Sequence, residues 1–596
     1  MLSLALAGQT AGVELSCDEL TASALQRLRT RYATALTVGY TTITVDIEEF
    51  LLNIDALATW PDDDFRWDPR LLDLVEGNYA DSEVVEDALR RSEPHIEDRA
   101  DLPGGGWKAS LTDLQRRDLA RLLHLKHGAN FSVPGAGKTR VALALFQTRR
   151  LAGEVSQMLV VAPKSAFEAW RDEASLSVPN GLVVAQILDE TIPVCDVLLV
   201  NYERLPNSLP ALIRWLRSSR SLLVLDEAHR MKLGADGAWG AACYALGPYA
   251  SHRVILTGTP APNGRQDLEN LFGFVWPGQG RSTVNRAVVG HSLAEASELL
   301  KPLFTRTTKS QLGLPPVQLS YRRVALPPLH REIYDSLVGL GLRQFADTAD
   351  AEALGRIVMY LLMAATSPAL IAAGSSRYEP LSYRVPPLVP PPGSPLMHLM
   401  RDLPSYELSP KFAEAMAIVR ANAEMGRKTL VWSTFVRALT SLDRLLNRYS
   451  PALIHGGTTD REAQLWRFRN DPACMVLLSN PATLGEGISL HHTCHDAVFI
   501  DRDFAAGRYL QSMDRIHRLG LAPETDTRIT ILLADDTIDQ VVQLRLDDKL
   551  NFLLRILDDS AVQQLTDLDE EPAISAGMDP TDAAALVSHL KTHAPI

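Results

Sequence analysis

Short apolar runs that alternate with helical patterns dominate the middle of the chain. Each run is apolar on both faces and is followed by polar or turn residues, which indicates strands of a parallel sheet covered by helices. One series lies between Leu111 and Pro277, and a second begins at Thr429. The pattern therefore predicts two α/β lobes, with strands at Met158–Ala162, Val197–Val200, Leu222–Leu225, Val254–Thr257, Thr429–Trp432, Leu453–His455, Met475–Ser479, Ala497–Asp501 and Ile529–Leu533.

Weaker patterns lie outside the two lobes. Thr41–Ile47 is rich in β-branched residues and predicts a strand, whereas Asp81–Arg91 predicts a helix. Glycines 104–106 indicate a flexible joint, and the prolines of Val385–Pro395 indicate a surface connection. A last helical pattern, Thr581–Lys591, belongs to an acidic tail that could be solvated or docked. We therefore divide the chain into an N-terminal accessory domain (1–105), a first lobe (106–298), a helical insertion with a proline-rich linker (299–407), a second lobe (408–557) and a C-terminal tail (558–596).

The composition is that of an ordinary globular protein with more than one core, since 46% of its 596 residues are hydrophobic and 22% are charged. No apolar run reaches membrane-spanning length, and the apolar start lacks the basic residues of a signal peptide. We therefore expect a cytoplasmic protein without membrane contact. The cysteines show no metal-ligand spacing and indicate reduced thiols: Cys17, Cys195, Cys243, Cys474 and Cys494.

The net charge of −13 bears on nucleic-acid binding. It argues against a protein that coats nucleic acid non-specifically. It allows a basic cleft on an acidic body, because the local field rather than the net charge attracts a ligand.

A glycine loop precedes an apolar helix and ends in Lys138-Thr139. Gly135 and Gly137 let the backbone approach an anion closely, and the next helix directs its N-terminal N–H groups at that anion. Lys138 would reach the β- and γ-phosphates of a nucleotide, and the Thr139 hydroxyl would bind Mg²⁺. The loop departs from the pattern G-x-x-x-x-G-K-[ST], because Ser132 replaces the first glycine. The alternative is a glycine loop that holds no ligand.

An acidic pair, Asp226-Glu227, follows the predicted strand Leu222–Leu225. A carboxylate at the carboxyl end of a strand, in the same lobe as a phosphate loop, is an oxygen ligand for Mg²⁺. We assign Asp226 to the Mg²⁺ and Glu227 to the attacking water. The alternative is an exposed acidic turn.

Arg515 and Arg518 lie three residues apart on a predicted helix of the second lobe, so they would share one helix face. Two arginines directed at the phosphate loop of the first lobe would stabilise charge during hydrolysis, as arginine fingers do. A solvated arginine pair is the alternative. Gln115, upstream of the loop, could read an adenine edge or could be a surface glutamine.

Taken in order, these motifs resemble those of the SNF2 family of superfamily 2 helicase-like ATPases. The resemblance covers Leu111–Lys549. It comprises Gln115 (Q motif), Pro134–Thr139 (motif I), Ala162–Ser165 with Trp170 (Ia), Asn201–Glu203 (Ib), Asp226–Arg230 (DEAH-type II), Thr257–Asn263 (III), Val431–Phe435 (IV), His455–Thr458 (the block after IV), Gly485–Gly487 (V) and Gln511–Arg518 (VI).

The resemblance implies two RecA-like lobes, ATP and Mg²⁺ as cofactors, and translocation along duplex DNA without strand separation, which would remodel or displace protein–DNA complexes. It implies nucleotide contacts from Gln115, Pro134, Gly135, Ala136, Gly137, Lys138, Thr139, Gly485, Gly487 and Gln511. It also implies nucleic-acid contacts from Lys164, Trp170, Tyr202, Thr257, Thr259, Ser433 and Gly456.

Three departures indicate an outlying, bacterial-looking branch. Motif I lacks the common Met-Gly-Leu-Gly-Lys-Thr form, motif V is one residue longer than usual, and Leu519–Leu521 lacks the typical glutamine. A DNA or RNA helicase that separates strands remains an alternative. So does a nucleotide-gated DNA-binding subunit of a larger repair or anti-phage defence complex, with partner proteins bound by residues 1–105 or the tail.

Overall fold

The computed structural model describes residues 1–596 except 9, 62–63, 91–102, 179–180, 188–190, 232, 259–264, 349–350, 380–384, 402–407, 485–487, 559–579 and 593–596. The chain divides into two compact units with main spans Met1–Leu312 and Gly313–Arg555, and the second unit also includes the C-terminal helix. Among the described residues the strands form two sheets in the first unit and one in the second. No helix in this part of the chain has both the length and the apolar character needed to span a membrane.

The N-terminal residues form a five-stranded mixed sheet in the order β3-β4-β2-β1-β5. Its elements are β1 Leu2–Leu6, β2 Gly12–Cys17, α1 Ala22–Arg29, β3 Leu36–Gly39, β4 Thr42–Asp46, α2 Ile47–Leu52, β5 Phe65–Trp67 and α3 Pro69–Arg90. The strand predicted at Thr41–Ile47 is confirmed as β4, and the predicted helix is the second half of α3.

This N-terminal sheet shares one hydrophobic core with the first lobe, because its buried leucines and those of α3 belong to the same cluster as the lobe's buried strands. A buried polar contact also joins them. The Asp81 carboxylate on α3 lies 2.9 Å from Nε2 of His127, whose Nδ1 accepts the backbone N–H of Arg253. Lys126 pairs with the same carboxylate at 2.8 Å. The accessory residues are therefore packed into the first unit rather than hinged to it.

The first lobe is a seven-stranded parallel sheet in the order β12-β6-β11-β10-β7-β9-β8. The central strands are buried along their whole length, which explains their continuous apolar sequence. The elements are α4 Asp113–His124, β6 Gly128–Asn130, α5 Lys138–Leu151, β7 Gln157–Val161, α6 Phe167–Ser177, β8 Val184–Gln186, β9 Val197–Val200, α7 Leu205–Ser218, β10 Ser221–Asp226, α8 Ala238–Leu246, β11 His252–Leu256, α9 Arg265–Val275, α10 Gly280–Val288, α11 Leu293–Leu300 and β12 Phe304–Thr305.

The second lobe is a six-stranded parallel sheet in the order β13-β18-β17-β14-β16-β15. Its elements are β13 Val317–Val324, α12 Pro328–Thr348, α13 Ala351–Thr366, α14 Ala369–Ala373, α15 Pro395–Arg401, α16 Pro410–Glu424, β14 Thr429–Trp432, α17 Val436–Leu445, β15 Ala452–Ile454, α18 Arg461–Asn470, β16 Val476–Ser479, α19 Pro481–Leu484, β17 Asp496–Phe499, α20 Ala506–Met513, β18 Thr527–Ala534, α21 Ile538–Asp558 and α22 Pro580–Thr592. The prediction of two parallel α/β lobes is confirmed.

Two strands lie in the stretch that the sequence predicts as a helical insertion. β12 extends the sheet of the first lobe and β13 forms an edge of the second sheet. β13 is mostly exposed and carries Ser320, Arg322 and Arg323, so it lacks the apolar run that marks a central strand. Strands of this kind give little signal in a hydrophobicity pattern.

The predicted C-terminal helix is confirmed as α22, and it is docked rather than solvated. Asp582, which is fully buried, accepts hydrogen bonds from Lys549 at 2.6 Å and from Arg545 at 2.7 Å, both on α21. His589 Nε2 lies 3.2 Å from the Tyr334 hydroxyl. The acidic stretch before this helix falls on residues outside those described.

Candidate functional site

The predicted phosphate loop connects β6 to α5 at the carboxyl end of the strands in the seven-stranded sheet of the first lobe. Gly135 and Gly137 have φ angles of 83° and 81°, which residues with a side chain rarely adopt. Gly137 is the N-cap of the 14-residue helix α5, whose central residues are buried. The first N–H groups of a long, fixed helix therefore face the loop, as an anion site requires.

Lys138 lies inside this loop with only 9% of its surface exposed. Its Nζ donates to the backbone carbonyl of Ser132 at 2.9 Å and to that of Val133 at 3.4 Å. Pro134, Ala136 and the partly exposed Thr139 complete the loop. The ammonium group is thus held where phosphate oxygens would meet it.

Ser132, which replaces a glycine of the usual pattern, anchors the loop. Its Oγ donates to Asp118 at 3.1 Å and accepts the backbone N–H of Thr307 at 2.9 Å. Asp118 is buried on α4, and burial raises the pKa of its carboxyl. The sequence does not identify Asp118, because its burial is visible only in the packed structure; its position three residues after Gln115 on the same helix is the only signal that the sequence offers.

Gln115 supports the loop from the protein side. It forms a capping box with Thr112 at the start of α4, and its Nε2 donates to the Ala136 carbonyl at 3.2 Å. The side chain is buried, so it is not the surface glutamine of the alternative interpretation. In this structure the amide positions the loop, and recognition of adenine stays a prediction.

The acidic pair lies at the end of β10, with β11 between β10 and the strand that leads to the loop. Glu227 has a φ of 50°, an uncommon conformation for a residue other than glycine. The Asp226 carboxylate accepts the backbone N–H of Glu227 at 3.1 Å and the indole N–H of Trp170 at 2.9 Å. Burial, reinforced by the charge of Glu227, raises the pKa of Asp226 to about 6, although the Trp170 hydrogen bond and Lys138 oppose this shift. Hydrogen bonds therefore hold the Asp226 carboxylate inside the protein, and the pair is not a solvated acidic turn.

Three residues of the first lobe that we predict as nucleic-acid contacts are buried in this structure. Trp170 holds the Asp226 carboxylate, and the Tyr202 hydroxyl donates to the Asp226 backbone carbonyl at 2.9 Å. Thr257 Oγ1 lies 3.0 Å from Nδ1 of His229 in the acidic motif. These side chains support the acidic turn from within the protein. Lys164, at the end of β7, is exposed.

In the second lobe Ser433 is also buried, with its hydroxyl bonded to the Asp501 carboxylate. Gly456 is exposed in the turn that follows β15. The predicted contacts Thr259, Gly485 and Gly487 lie outside the described residues.

Arg515 and Arg518 do not share a helix face, because α20 ends at Met513. Residues 514–518 form turns and bends, and the Arg515 carbonyl accepts the backbone N–H of Leu490 at 2.9 Å. The Arg515 guanidinium, 7% exposed, donates to the carbonyls of Ile488 and Gln511, each at 2.9 Å. Arg518 donates to the Ser489 hydroxyl at 2.5 Å. Both arginines thus contact the segment that follows motif V.

A glycine loop at a helix N-terminus, and an acidic turn at the same edge of a parallel sheet, define a nucleotide-binding α/β lobe of the P-loop class. Comparison with known proteins specifies the family. Residues 131–366 match the SNF2-related domain, and residues 410–520 match the helicase conserved C-terminal domain. The chain belongs to the SNF2 family of helicase-like ATPases.

Three relatives illustrate the range of similar proteins. Protein CHROMATIN REMODELING 4 of Arabidopsis thaliana is 26% identical over 65% of this chain and 18% of its own length. DNA excision repair protein ERCC-6-like of Bos taurus is 24% identical over 74% of this chain and 40% of its own length. The SWI/SNF-related matrix-associated actin-dependent regulator of chromatin subfamily A member 1 of Homo sapiens is 25% identical over 81% of this chain and 46% of its own length. The chain therefore spans less than half the length of each of these relatives.

Among solved structures, the chain is similar to the Sulfolobus solfataricus SWI2/SNF2 ATPase core in complex with dsDNA. The two are 20% identical, and the match covers 80% of this chain and 99% of that chain with a TM-score of 0.34.

Proposed function

We propose that the protein hydrolyses ATP in its first lobe and uses the energy to move along duplex DNA, where it remodels or displaces protein–DNA complexes. The observation that carries this proposal is the placement of Lys138 and the Asp226-Glu227 turn at one edge of one parallel sheet. The turn after β11 closes the gap between them. A Cβ on Gly258 would come within 2.7 Å of the Pro134 ring, so the two loops pack tightly.

The residues of the first lobe have separable roles in this proposal. Lys138 and the N–H groups of α5 bind the phosphates, and Glu227 accepts a proton from the attacking water. Thr139 and Asp226 supply the hard oxygen ligands that Mg²⁺ prefers, and this ion usually takes one or two protein ligands besides the phosphates. When bound, Mg²⁺ would neutralise phosphate charge.

The second lobe would supply Arg515 and Arg518 to stabilise the charge that develops on the phosphate. Duplex DNA is the substrate that we propose, because relatives are named for chromatin remodelling and DNA excision repair. Binding of partner proteins by residues 1–105 or the tail stays a prediction of the sequence.

The test is phosphate release with duplex DNA, single-stranded DNA and RNA, each at two salt concentrations. We expect duplex DNA to stimulate hydrolysis at least as well as single strands, and added salt to weaken the effect, because binding to phosphates releases counterions. Stimulation by RNA alone would favour the RNA-helicase alternative, and nucleotide binding without turnover would favour the gated subunit.

Glu227→Gln tests the catalytic assignment. This variant keeps Asp226 and should bind ATP, but loss of the base should slow hydrolysis by about 10²–10⁴-fold. The measurements are binding of a fluorescent ATP analogue and single-turnover hydrolysis. Turnover near the wild-type rate would contradict the role of Glu227.

A further inference from the structure

A short segment of the interlobe region lies against the second lobe beside two of the predicted nucleic-acid contacts. We call Ser375–Glu379 the strap. It follows α14. Its first residue, Ser375, is fixed by two hydrogen bonds with Val385: the Ser375 N–H donates to the Val385 carbonyl at 2.8 Å, and the Val385 N–H donates to Ser375 Oγ at 2.7 Å. Its last two residues contact the lobe.

The first contact places a carboxyl group at the N-terminus of a helix. Glu379 Oε1 accepts the backbone N–H of Val436, the first residue of the ten-residue helix α17, at 3.1 Å. Glu379 is 8% exposed, and within the described residues its Oε2 is buried without a hydrogen-bond partner. Burial raises the pKa of Glu379 to about 7, with a contribution from Asp501. The carboxyl thus occupies a helix N-terminus, which is suited to an anion, but only one of its two oxygens accepts a hydrogen bond there.

The second contact covers the turn that follows β15. The Tyr378 ring lies 5.6 Å from the ring of His455. A Cβ on Gly457 would meet Tyr378 Cε2 at 2.6 Å, so the phenol ring lies directly on this glycine. The Arg377 guanidinium lies over the Tyr378 ring, 4.6 Å from its centroid.

Both contacts lie close in sequence to positions that we predict as nucleic-acid contacts. Val436 lies three residues after Ser433, and Gly457 is adjacent to Gly456. We propose that Tyr378 and Glu379 are an internal competitor of nucleic acid, which covers the phosphate-binding surface of the second lobe until duplex DNA displaces it. This inference rests on the proposed function, since it names a regulator of the same DNA-binding surface.

The contacts favour displacement over permanent closure. A DNA phosphate at the start of α17 would bring a full negative charge with several acceptor oxygens, whereas Glu379 leaves one oxygen unpaired. Ser375 is hydrogen-bonded to Val385, so these bonds do not have to break when Tyr378 and Glu379 lose their contacts with the lobe. A site that is open only part of the time lowers the apparent affinity by the open fraction.

A reversible crosslink tests the proposal. A Cβ built on Gly456 lies 3.4 Å from the Tyr378 Cβ, close to the spacing of about 3.5–4.5 Å found in disulfides. The φ of Gly456 lies outside the left-handed region, so cysteine is tolerated there. The native cysteines are buried or half-buried, which favours the engineered pair in full-length Tyr378→Cys/Gly456→Cys.

We expect the oxidised protein to bind duplex DNA at least about tenfold more weakly than the same protein after reduction, because the strap cannot leave. Mass spectrometry verifies the crosslink. Equal duplex affinity of crosslinked and reduced protein would overturn the proposal, and so would failure of the two cysteines to crosslink.

Removal of the competitor is the converse test. Tyr378→Ala/Glu379→Ala should bind duplex DNA several-fold more tightly than wild type, and Val389→Ala, an 85% exposed position in the proline-rich linker, should not change the affinity. Unchanged affinity of the double variant contradicts the inference. If wild-type protein binds no duplex at all, the proposed function fails first; if it binds but neither strap variant differs, only the inference fails.

Discussion

The two lobes have the same parallel α/β architecture, but their candidate side chains are used differently. In the first lobe, Lys138 and Asp226 are held by the surrounding protein in positions that face the phosphate loop. In the second, the start of α17 bonds to Glu379, and Arg515 bonds to two backbone carbonyls of its own lobe. Lys138 also donates to two backbone carbonyls, but it lies beside the N–H groups of α5 that would bind the same phosphates, whereas Glu379 already occupies the N-terminus of α17. Binding groups that are fixed around one site reduce the cost of binding, so we expect a smaller rearrangement in the first lobe than in the second.

The largest effect should come from the first lobe. Lys138→Ala removes the ammonium group from the phosphate loop and should abolish ATP hydrolysis, while the fold persists because the buried face of α5 is unchanged. Phosphate release and melting temperature are the measurements. Lys301→Ala, which removes a surface lysine paired with Glu298, is the matched control. Hydrolysis by the Lys138 variant would refute the preorganised site.

The arginines should reduce turnover nearly as much, but they should differ in stability. Replacement of either Arg515 or Arg518 with alanine should lower kcat by about 10³-fold or more, as loss of an arginine finger does. Arg515 is buried with two hydrogen bonds, so Arg515→Ala should also lower the melting temperature, whereas Arg518→Ala should change it little. Full ATPase activity in both variants would show that the second lobe supplies no catalytic group.

Trp170 should affect the metal requirement rather than the fold. Trp170→Phe removes the N–H that holds Asp226 and keeps an aromatic ring, so the Mg²⁺ concentration needed for ATP binding should rise by about 10–100-fold. Titration of nucleotide affinity against Mg²⁺ measures this shift. Trp276→Phe is the control, because within the described residues that indole is buried without a hydrogen-bond partner. Equal Mg²⁺ titrations for the two variants would rule out a positioning role for Trp170.

The smallest predicted effect is acid sensitivity of the first unit. Burial and the charge of Arg253 lower the pKa of His127 to about 3, so the unfolded chain binds more protons between about pH 6.5 and 3. The free energy of unfolding should therefore decrease as the pH falls through this window, by up to about 1.4 kcal/mol per pH unit from this group. In His127→Asn, thermal unfolding between pH 7 and 5 should depend less on pH than in wild type, and an unchanged dependence would contradict a neutral His127.

The sequence predicted the strands that are buried on both faces, because their apolar runs are continuous, and it located the phosphate loop from its glycines. In the two lobes it missed β6, β8, β12 and β13, which are short or exposed and carry no long apolar run. In the N-terminal sheet it predicted only β4 and missed the other four strands. The nucleic-acid contacts Trp170, Tyr202 and Thr257 were implied by the family resemblance, which carries no information on whether these side chains are buried. Burial is a property of the packed chain, and the structure places all three side chains inside the protein.

The shared core of the accessory residues and the first lobe has a consequence for modularity. A chain shortened to begin after glycine 106 would lose Asp81 from beside His127 and would expose the apolar side of the lobe that packs against α3. The N-terminal part is therefore not an independent domain that could be exchanged for another one. Substitution of Asp81 or of the buried residues of α3 would instead act on the core of the lobe that carries the phosphate loop.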